Sequence, residues 1–117
     1  MSEFKKNDAG KPQFDLLPLG LFSGVNDVLK HGAKKYGVGN WKKEDFLMSR
    51  AYNALLRHLI AFWGGEDTDK ETGLSHLDHA MCNLIFLKYH HQNTPAADDR
   101  PVTKDPVDLE KLHIFGE

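Results

Sequence analysis

The sequence predicts an all-α fold, a small bundle of three main helices followed by a short C-terminal helix. Three segments place apolar residues at helical spacing, and each ends at glycines or at a polar linker. No segment shows the alternating pattern of a convincing strand. The 117 residues are 40% hydrophobic and 10% aromatic, which is enough for the modest core of one domain.

The first helix is predicted to run from about Pro18 to Lys35. Proline suits the first turn of a helix and disfavours helix in the residue before it. Gly37 and Gly39 end the helix, because glycine readily adopts the backbone angles found just past a helix. Residues 37–48 then form a connector.

The second helix is predicted over roughly Phe46 to Trp63, with a pair of glycines after it as the C-terminal stop. The third helix is predicted to begin at Ser75 and to run to about Gln92. Ser75 is followed three residues later by an aspartate, which resembles a capping box.

We interpret residues 1–117 as a single domain with a helical core over residues 8–92. Residues 93–117 have the composition of a linker and tail, and Val107 to His113 are predicted to form the short fourth helix. Apolar side chains in the tail are candidates to dock on the domain or on a partner subunit. Because small bundles with exposed apolar faces often associate, we expect a homo-oligomer.

The formal net charge of -2 argues against a dedicated nucleic-acid binder, which is usually clearly basic. A single cysteine, Cys82, excludes an intramolecular disulfide and fits a reducing compartment. Its position within a helix predicts packing rather than nucleophilic chemistry. The polar N-terminal residues are not a signal peptide, and no apolar run is long enough to span a bilayer, so we expect a cytoplasmic location.

The stretch from Arg57 to Asn83 concentrates side chains that can bind a metal. An acidic loop joins the second and third helices, and histidines flank it on both. Carboxylates are preferred ligands of Mg²⁺ or Mn²⁺, and two histidines three residues apart on one helix can reach a common ligand. The alternatives are a solvated acidic turn, exposed histidines in a capping turn and a core histidine on the second helix. The candidate metal ligands are Glu66, Asp69, His76, His79 and His58.

Basic, amide and aromatic side chains elsewhere are candidates for binding a nucleotide. Arginines can grip phosphates bidentately, lysines can neutralise them, and an amide or a ring can contact the base. There is no Walker-type motif, and the alternative for each group is a solvated surface. The candidate substrate-binding residues are Lys11, Asp15, Lys35, Tyr36, Asn40, Trp41, Arg50, Arg57 and Asn83.

Several short motifs stand in order along about residues 8–90. They are Gly10-Lys11, Asp15-Leu16-Leu17-Pro18, Gly32-Ala33-Lys34-Lys35-Tyr36-Gly37, Asn40-Trp41, Arg57-His58-Leu59, Gly65-Glu66-Asp67-x-Asp69-x-Glu71-x-Gly73 and His76-Leu77-x-His79-Ala80. In this order and spacing they resemble the phage-associated dATP/dGTP diphosphohydrolase N-terminal domain family. Residues 93–117 lie outside the resemblance.

The resemblance implies a helical protein of phage or prophage origin, related in function to MazG-like pyrophosphohydrolases. Such enzymes convert a purine dNTP to dNMP and pyrophosphate with Mg²⁺ or Mn²⁺. The MazG-like pattern of Glu-Glu-x-x-Glu on one helix and Glu-x-x-Asp on the next is not reproduced. Arg57-His58 stands in place of the paired glutamates, and Glu66-x-x-Asp69 falls in a loop. The MazG-type metal cage therefore cannot be transferred residue by residue.

Our main hypothesis is metal-dependent hydrolysis of a purine deoxynucleoside triphosphate. Four of the candidate ligands would hold the metal, and His58 would either bind it or orient one of its ligands. Glu71 or Asp67 would act as general base. One alternative is a non-catalytic binding protein for a nucleotide or a nucleotide-derived signal. Another is a structural helical partner in a phage assembly.

Overall fold

The computed structural model describes residues 3–101, and within that range it is all-α, as predicted. The only strand-like feature described is an isolated antiparallel bridge between Thr68 and Ser75. None of the helices in this range combines the length and apolar character needed to cross a membrane. The predicted short helix over residues 107–113 lies outside the described residues. The three main helices are α1 (Ser23–Tyr36), α2 (Met48–Trp63) and α3 (His76–Asn93).

Helix α1 begins later than the sequence predicts. Residues Leu19–Phe22 form a 3-10 turn, in which the backbone N–H of Leu21 donates to the carbonyl of Pro18 at 3.0 Å. Pro18 itself has a ψ of 72°, outside the helical region, so regular α-helix starts only at Ser23. Gly37 ends the helix as predicted, with a positive φ of 98° that favours glycine.

Helices α2 and α3 form an antiparallel hairpin. Helix α2 begins at Met48 rather than at Phe46, because Leu47 has extended backbone angles. Ser75 caps α3 as predicted, since its hydroxyl oxygen accepts hydrogen bonds from two backbone N–H groups of the first turn. The predicted ends of both helices agree with the structure to within one residue.

Helix α3 is central, because it packs against α2 on one side and against α1 on another. Cys82 is almost completely buried in α3, and burial raises the pKa of its thiol to about 12, which confirms a packing role. Within residues 3–101 no leucine, isoleucine or phenylalanine is fully buried. The fully buried apolar residues are Val25, Met48, Ala51, Ala80, Cys82 and Ala97.

The connector between α1 and α2 is anchored on α3 by an aromatic cluster. The ring of Trp41 stacks on that of Phe86 at 4.8 Å and meets the edge of Tyr89 at 5.0 Å. His90, itself buried, donates from Nε2 to the backbone carbonyl of Trp41 at 2.6 Å. The connector is therefore held in one conformation beside α3.

The residues after α3, predicted to be a linker, pack on the bundle. Ala97 is fully buried, and a carboxylate oxygen of Asp99 accepts a 2.9 Å hydrogen bond from the backbone N–H of Ser49. The other oxygen accepts from the Ser49 hydroxyl. These bonds lower the pKa of Asp99. Because Leu47 offers no side-chain cap, Asp99 caps α2 from a distant part of the chain.

Candidate metal centre and nucleotide clefts

The loop between α2 and α3 is a compact turn held by its own backbone. The bridge between Thr68 and Ser75 closes its base, and Asp69 donates a 2.8 Å backbone hydrogen bond to the carbonyl of Leu74. Gly73 has a φ of 71°, a left-handed conformation that favours glycine. These features give the acidic loop one defined path between the two helices.

Asp69 is oriented by this turn. Its Oδ1 accepts hydrogen bonds from the backbone N–H groups of Glu71 at 2.8 Å and Thr72 at 3.0 Å. Burial raises the pKa of Asp69, but these hydrogen bonds outweigh it and the pKa lies below the ordinary value. Its Oδ2 lies 3.9 Å from Nδ1 of His58. The turn therefore presents an ionised carboxylate to α2.

His58, Asp69 and His76 form the group that we call the His/Asp cluster. One donor atom from each lies within 4.8 Å of the other two. The δ-nitrogens of His58 and His76 are 2.9 Å apart. Two nitrogens each about 2.1 Å from one cation lie about 3 Å apart when they subtend a right angle. The cluster thus has the composition and the spacing of a metal site.

Glu66 orients His76. The Nε2 of His76 donates to Oε1 of Glu66 at 2.7 Å, and this hydrogen bond lowers the pKa of the glutamate. A neutral imidazole that carries its proton on Nε2 leaves Nδ1 free to accept or to bind a metal. Glu66, predicted as a metal ligand, is therefore placed on the far side of the His76 ring from the cluster.

His79, also predicted as a metal ligand, supports His58. The two rings stack with centroids 4.4 Å apart and planes 4° apart, and Nε2 of His79 lies 2.7 Å from the hydroxyl of Thr72. Burial lowers the pKa of both histidines, which favours the neutral form that binds metals. The stacking therefore fixes the plane of the His58 ring.

Thr72 was not predicted to belong to the site. Its hydroxyl contacts His79, accepts from the backbone N–H of Leu74 at 3.2 Å and lies 3.4 Å from Asp69. A threonine three residues after an aspartate is typical of a polar turn, and the sequence contains that signal. The contact with His79 depends on how the loop folds back on α3, which no local pattern reveals.

The two predicted general bases lie on the exposed surface of the acidic loop. The side chain of Glu71 is 81% exposed, and its carboxylate lies 3.8 Å from Nζ of Lys35 at the end of α1. Asp67 is exposed, and its backbone carbonyl accepts a 2.9 Å hydrogen bond from the N–H of His76. The pair formed by Lys35 and Glu71 brings α1 up to the acidic loop.

A cleft of about 480 Å³, which we call the cationic cleft, opens between the end of α1, the connector and α2. Lys43, which was not predicted, lines it as well. Ala54, which lines the cleft, lies one helical turn before His58 on α2, so the cleft reaches to within a turn of the His/Asp cluster. The cleft brings together these residues from the predicted substrate-binding set: Tyr36, Asn40, Arg50, Arg57 and Asn83.

A second cleft of about 520 Å³, the aromatic cleft, lies between α1, the connector and α3. Trp41, Phe46 and Phe86 contribute rings to its walls, and His79 lines it too. Tyr36, Asn40 and Asn83 line both clefts, so the two clefts meet at these residues. Asn83 is buried, and its amide donates to the carbonyl of His79 at 2.9 Å.

Lys11 and Asp15 are not brought to this region. Both lie in the exposed segment before α1, and neither lines either cleft. Trp41 anchors the connector on α3 and also lines the aromatic cleft. The predicted binding residues after position 35 thus converge, whereas Lys11 and Asp15 do not join them.

Residues 2–100 match the family described as dATP/dGTP diphosphohydrolase, N-terminal. The chain belongs to this family. A protein named dATP/dGTP diphosphohydrolase from Salmonella phage PMBT28 is 36% identical over 95 residues, which is 81% of this chain and 32% of the phage protein. The chain thus spans about a third of the length of that relative. No solved structure matches.

Membership in the dATP/dGTP diphosphohydrolase N-terminal family confirms the resemblance found in the sequence. The match extends past residue 92, where the predicted helical core ends, to residue 100. It therefore includes Asp99 and the segment that packs on α2.

Proposed function

We propose that the chain forms a metal-dependent diphosphohydrolase site for purine deoxynucleoside triphosphates, releasing dNMP and pyrophosphate. The observation that carries the proposal is the His/Asp cluster within one helical turn of a cleft lined by arginines. Family membership and the printed name of the phage relative support the substrate class and the bond that is broken.

The cluster suits Mn²⁺ better than Mg²⁺ among the two expected cofactors. His58 and His76 would supply nitrogen and Asp69 oxygen. Mg²⁺ takes oxygen ligands and water, whereas Mn²⁺ is the first of the divalent transition metals whose affinity for nitrogen donors rises along the row, so two imidazoles disfavour Mg²⁺ more than Mn²⁺. When bound, Mn²⁺ supplies a Lewis acid that polarises a phosphoryl oxygen and activates water for attack. Glu66 and His79 would hold the two imidazoles in place.

The arginines of the cationic cleft would bind the triphosphate. Arg50 and Arg57 are two turns apart on the same side of α2, and Lys43 adds a third positive charge. A guanidinium can grip a phosphate through two parallel hydrogen bonds. Because Ala54 of the cleft wall is one turn from His58, this arrangement would bring one end of the phosphate chain near the His/Asp cluster.

The junction of the two clefts would receive the sugar and the base. Asn40 and Asn83 present amides there, and Tyr36 and Trp41 provide rings. Amides in a largely apolar pocket select a ligand whose hydrogen-bonding groups match them, because a mismatched ligand leaves them unpaired. Lys35 lies next to this junction in sequence, directly before Tyr36, and forms an ion pair with Glu71.

Glu71 and Asp67 are our proposed general bases. Both belong to the loop that carries Asp69, and both face solvent, from which the attacking water comes. A carboxylate within hydrogen-bond reach of that water would accept its proton. The ion pair between Glu71 and Lys35 must open if Glu71 serves this role.

The test measures pyrophosphate and dNMP released from each of the four dNTPs with Mn²⁺ or Mg²⁺. We expect turnover of dGTP and dATP, faster with Mn²⁺, and a loss of more than a hundredfold in His76→Ala and in Asp69→Asn. His91→Ala, at an exposed position near the end of α3, is the matched control. Absence of turnover by the wild-type chain with every nucleotide and metal would overturn the proposal.

A second candidate function is binding of a purine nucleotide without catalysis. It is favoured by the lining of the cationic cleft, which includes no member of the His/Asp cluster. Calorimetry of dGTP binding in the presence of EDTA separates the two functions. Tight metal-independent binding, with the nucleotide recovered intact after incubation with Mn²⁺, would favour the binding protein over the enzyme.

A further inference from the structure

His90, near the end of α3, is a buried polar residue that the proposed function does not use. Its side chain is 1% exposed, and it lines neither the cationic cleft nor the aromatic cleft. Among the described residues, its ring makes one hydrogen bond, from Nε2 to the backbone carbonyl of Trp41 at 2.6 Å. Because a carbonyl oxygen can only accept, Nε2 carries a proton.

Packing alone does not account for an imidazole at this position. The second ring nitrogen of His90, Nδ1, is buried and has no hydrogen-bond partner in the described part of the chain. A buried polar atom without a partner costs free energy, and the neighbouring rings of Phe46 and Tyr89 would pack as well against an apolar side chain. What the imidazole adds over a phenyl ring is the hydrogen bond from Nε2.

The backbone at Trp41 is fixed by two different contacts. The ring stacks on that of Phe86 at 4.8 Å, which determines where the residue lies on α3. The hydrogen bond from His90 determines how the following peptide group is turned, because its carbonyl oxygen must point into the protein. The ring contact alone would leave the peptide group free to rotate.

The turn that contains Trp41 is weakly held by its own backbone. Gly37 and Gly39, just before it, have φ values of 98° and 73°, and glycine gives the chain many alternative paths. Both backbone hydrogen bonds of Asn40 are long, at 3.3 Å each, whereas the bond from His90 is 2.6 Å. The conformation of the turn therefore depends on an anchor outside the connector.

We propose that His90 is a positioning residue for the nucleotide, which acts through the Trp41 carbonyl to hold Asn40 at the junction of the two clefts. The inference rests on the proposed function, in which that junction receives the sugar and the base. Asn40 directly precedes Trp41 and lines both clefts, whereas Arg50 and Arg57 belong to α2. Loss of the hydrogen bond should therefore weaken recognition of the nucleoside more than recognition of the phosphates.

Three variants separate the hydrogen bond from packing. His90→Phe removes the bond and keeps a ring of similar size among its aromatic neighbours. His90→Gln is the conservative variant, because its amide nitrogen can reach the place of the imidazole Nε2 and donate to the carbonyl of Trp41. His91→Phe, at the exposed neighbouring position on α3, is the matched control. Circular dichroism verifies that each variant keeps its helices.

The first measurement is hydrogen exchange without ligand, followed by mass spectrometry. In His90→Phe we expect the amides of residues 37–47 to exchange at least tenfold faster than in the wild type, with α2 and α3 unchanged. His90→Gln should recover most of the protection, and His91→Phe should match the wild type. Unchanged exchange in the connector of His90→Phe overturns the proposal. Faster exchange over the whole chain also overturns it, because His90 would then hold the fold rather than the connector.

The second measurement is calorimetry with Mn²⁺ and two ligands. One is a dGTP analogue with a methylene bridge between the α- and β-phosphorus, which cannot be hydrolysed there, and the other is inorganic tripolyphosphate. In His90→Phe we expect affinity to fall about tenfold for the analogue and less than threefold for tripolyphosphate, with recovery in His90→Gln. Equal losses for the two ligands, or no loss, overturn the proposal. A wild type that binds neither ligand overturns the proposed function and the nucleotide role of His90 together, and the exchange measurement still decides whether His90 holds the connector.

Discussion

The δ-nitrogens of His58 and His76 lie 2.9 Å apart, although the two residues belong to different helices. In a neutral pair one nitrogen donates and the other accepts, whereas a shared cation would replace that proton. The same distance suits both arrangements. The spacing of the two nitrogens is therefore compatible with the hydrogen bond and with the metal ion that we propose.

Loss of either histidine should abolish metal binding at the His/Asp cluster. We expect His58→Ala and His76→Ala to weaken Mn²⁺ binding by more than a hundredfold, because each removes one of the three converging donors. Glu66→Gln should weaken it about ten- to a hundredfold, since it loosens His76 without removing a ligand. Electron paramagnetic resonance of free Mn²⁺ measures all three, with His91→Ala as the control. If His76→Ala binds Mn²⁺ with the affinity of the wild type, the metal binds at a different site.

Thr72 should act as a positioning residue. Thr72→Val keeps the shape of the side chain but removes the hydroxyl that contacts His79 and Asp69. We expect a decrease of about tenfold in Mn²⁺ affinity, with little change in melting temperature. Thr72→Ser restores the hydroxyl and should recover most of the affinity. If the valine variant binds Mn²⁺ as tightly as the wild type, the hydroxyl of Thr72 does not position the metal ligands.

Arg57 should contribute to nucleotide affinity through charge. Arg57→Ala is expected to weaken dGTP binding about ten- to a hundredfold, the range for loss of hydrogen bonds to a charged group. The loss should shrink as salt rises, because ions screen the phosphate charge. Lys34→Ala, on the exposed surface of α1 outside both clefts, is the matched control for charge. Calorimetry at two salt concentrations measures both effects, and equal losses in the two variants would contradict a specific role.

Gly24 and Gly32 should respond differently to alanine. A Cβ at position 24 would meet the carboxylate of Asp78, whereas at position 32 it would meet nothing within 4 Å. We expect Gly32→Ala to stabilise the fold by about 0.5–1 kcal/mol and Gly24→Ala to be about 1 kcal/mol less favourable, because the Asp78 side chain must rotate away from the new methyl group. Urea denaturation measures both. In an Asp78→Ala background the penalty at position 24 should largely disappear, and a persisting penalty would point to a different clash.

Asp99 should give the fold a pH-dependent contribution. Its pKa is lower in the folded protein than the roughly 3.9 of an unfolded chain, because Ser49 donates two hydrogen bonds to it. This contribution is complete above about pH 4 and is lost as pH falls through the folded pKa. The melting temperature of Asp99→Asn should therefore lie below that of the wild type at pH 7. The difference between the two melting temperatures should become smaller as the pH is lowered and Asp99 is protonated. Asp8→Asn, in the exposed N-terminal segment, is the control for the loss of a charge. If the difference in melting temperature between Asp99→Asn and the wild type does not change with pH, the Asp99 carboxylate does not cap α2.

The sequence was sufficient to predict the three main helices, and most of its candidate binding residues line the two clefts. Apolar periodicity and glycines located α2 and α3 to within two residues at each end, because these signals act locally. The start of α1 was missed because Pro18 permits a 3-10 turn as readily as an α-helix. The docking of residues 95–99 was missed because it depends on Ser49, far away in the chain.

Within the candidate site, residue types were predictable but their partners were not. Histidines and carboxylates around the acidic loop pointed to a metal, and the structure brings His58, Asp69 and His76 together. The separate placements of Glu66 and His79 depend on ring orientation and on the path of the loop. Helical spacing places a side chain on a face, and it does not say which nitrogen of an imidazole faces which neighbour.

The contact between Asp99 and Ser49 also has a consequence for the order of events during synthesis. The cap of α2 is supplied by a residue made 50 positions later. At about 5–20 residues per second, the start of α2 waits roughly 3–10 s for its cap, far longer than a helix needs to form. A ribosome-bound chain that stops before residue 99 would therefore carry a frayed α2, with Arg50 on its least ordered turn. The first turn of α2, which carries Arg50 of the cationic cleft, would then be completed late in synthesis.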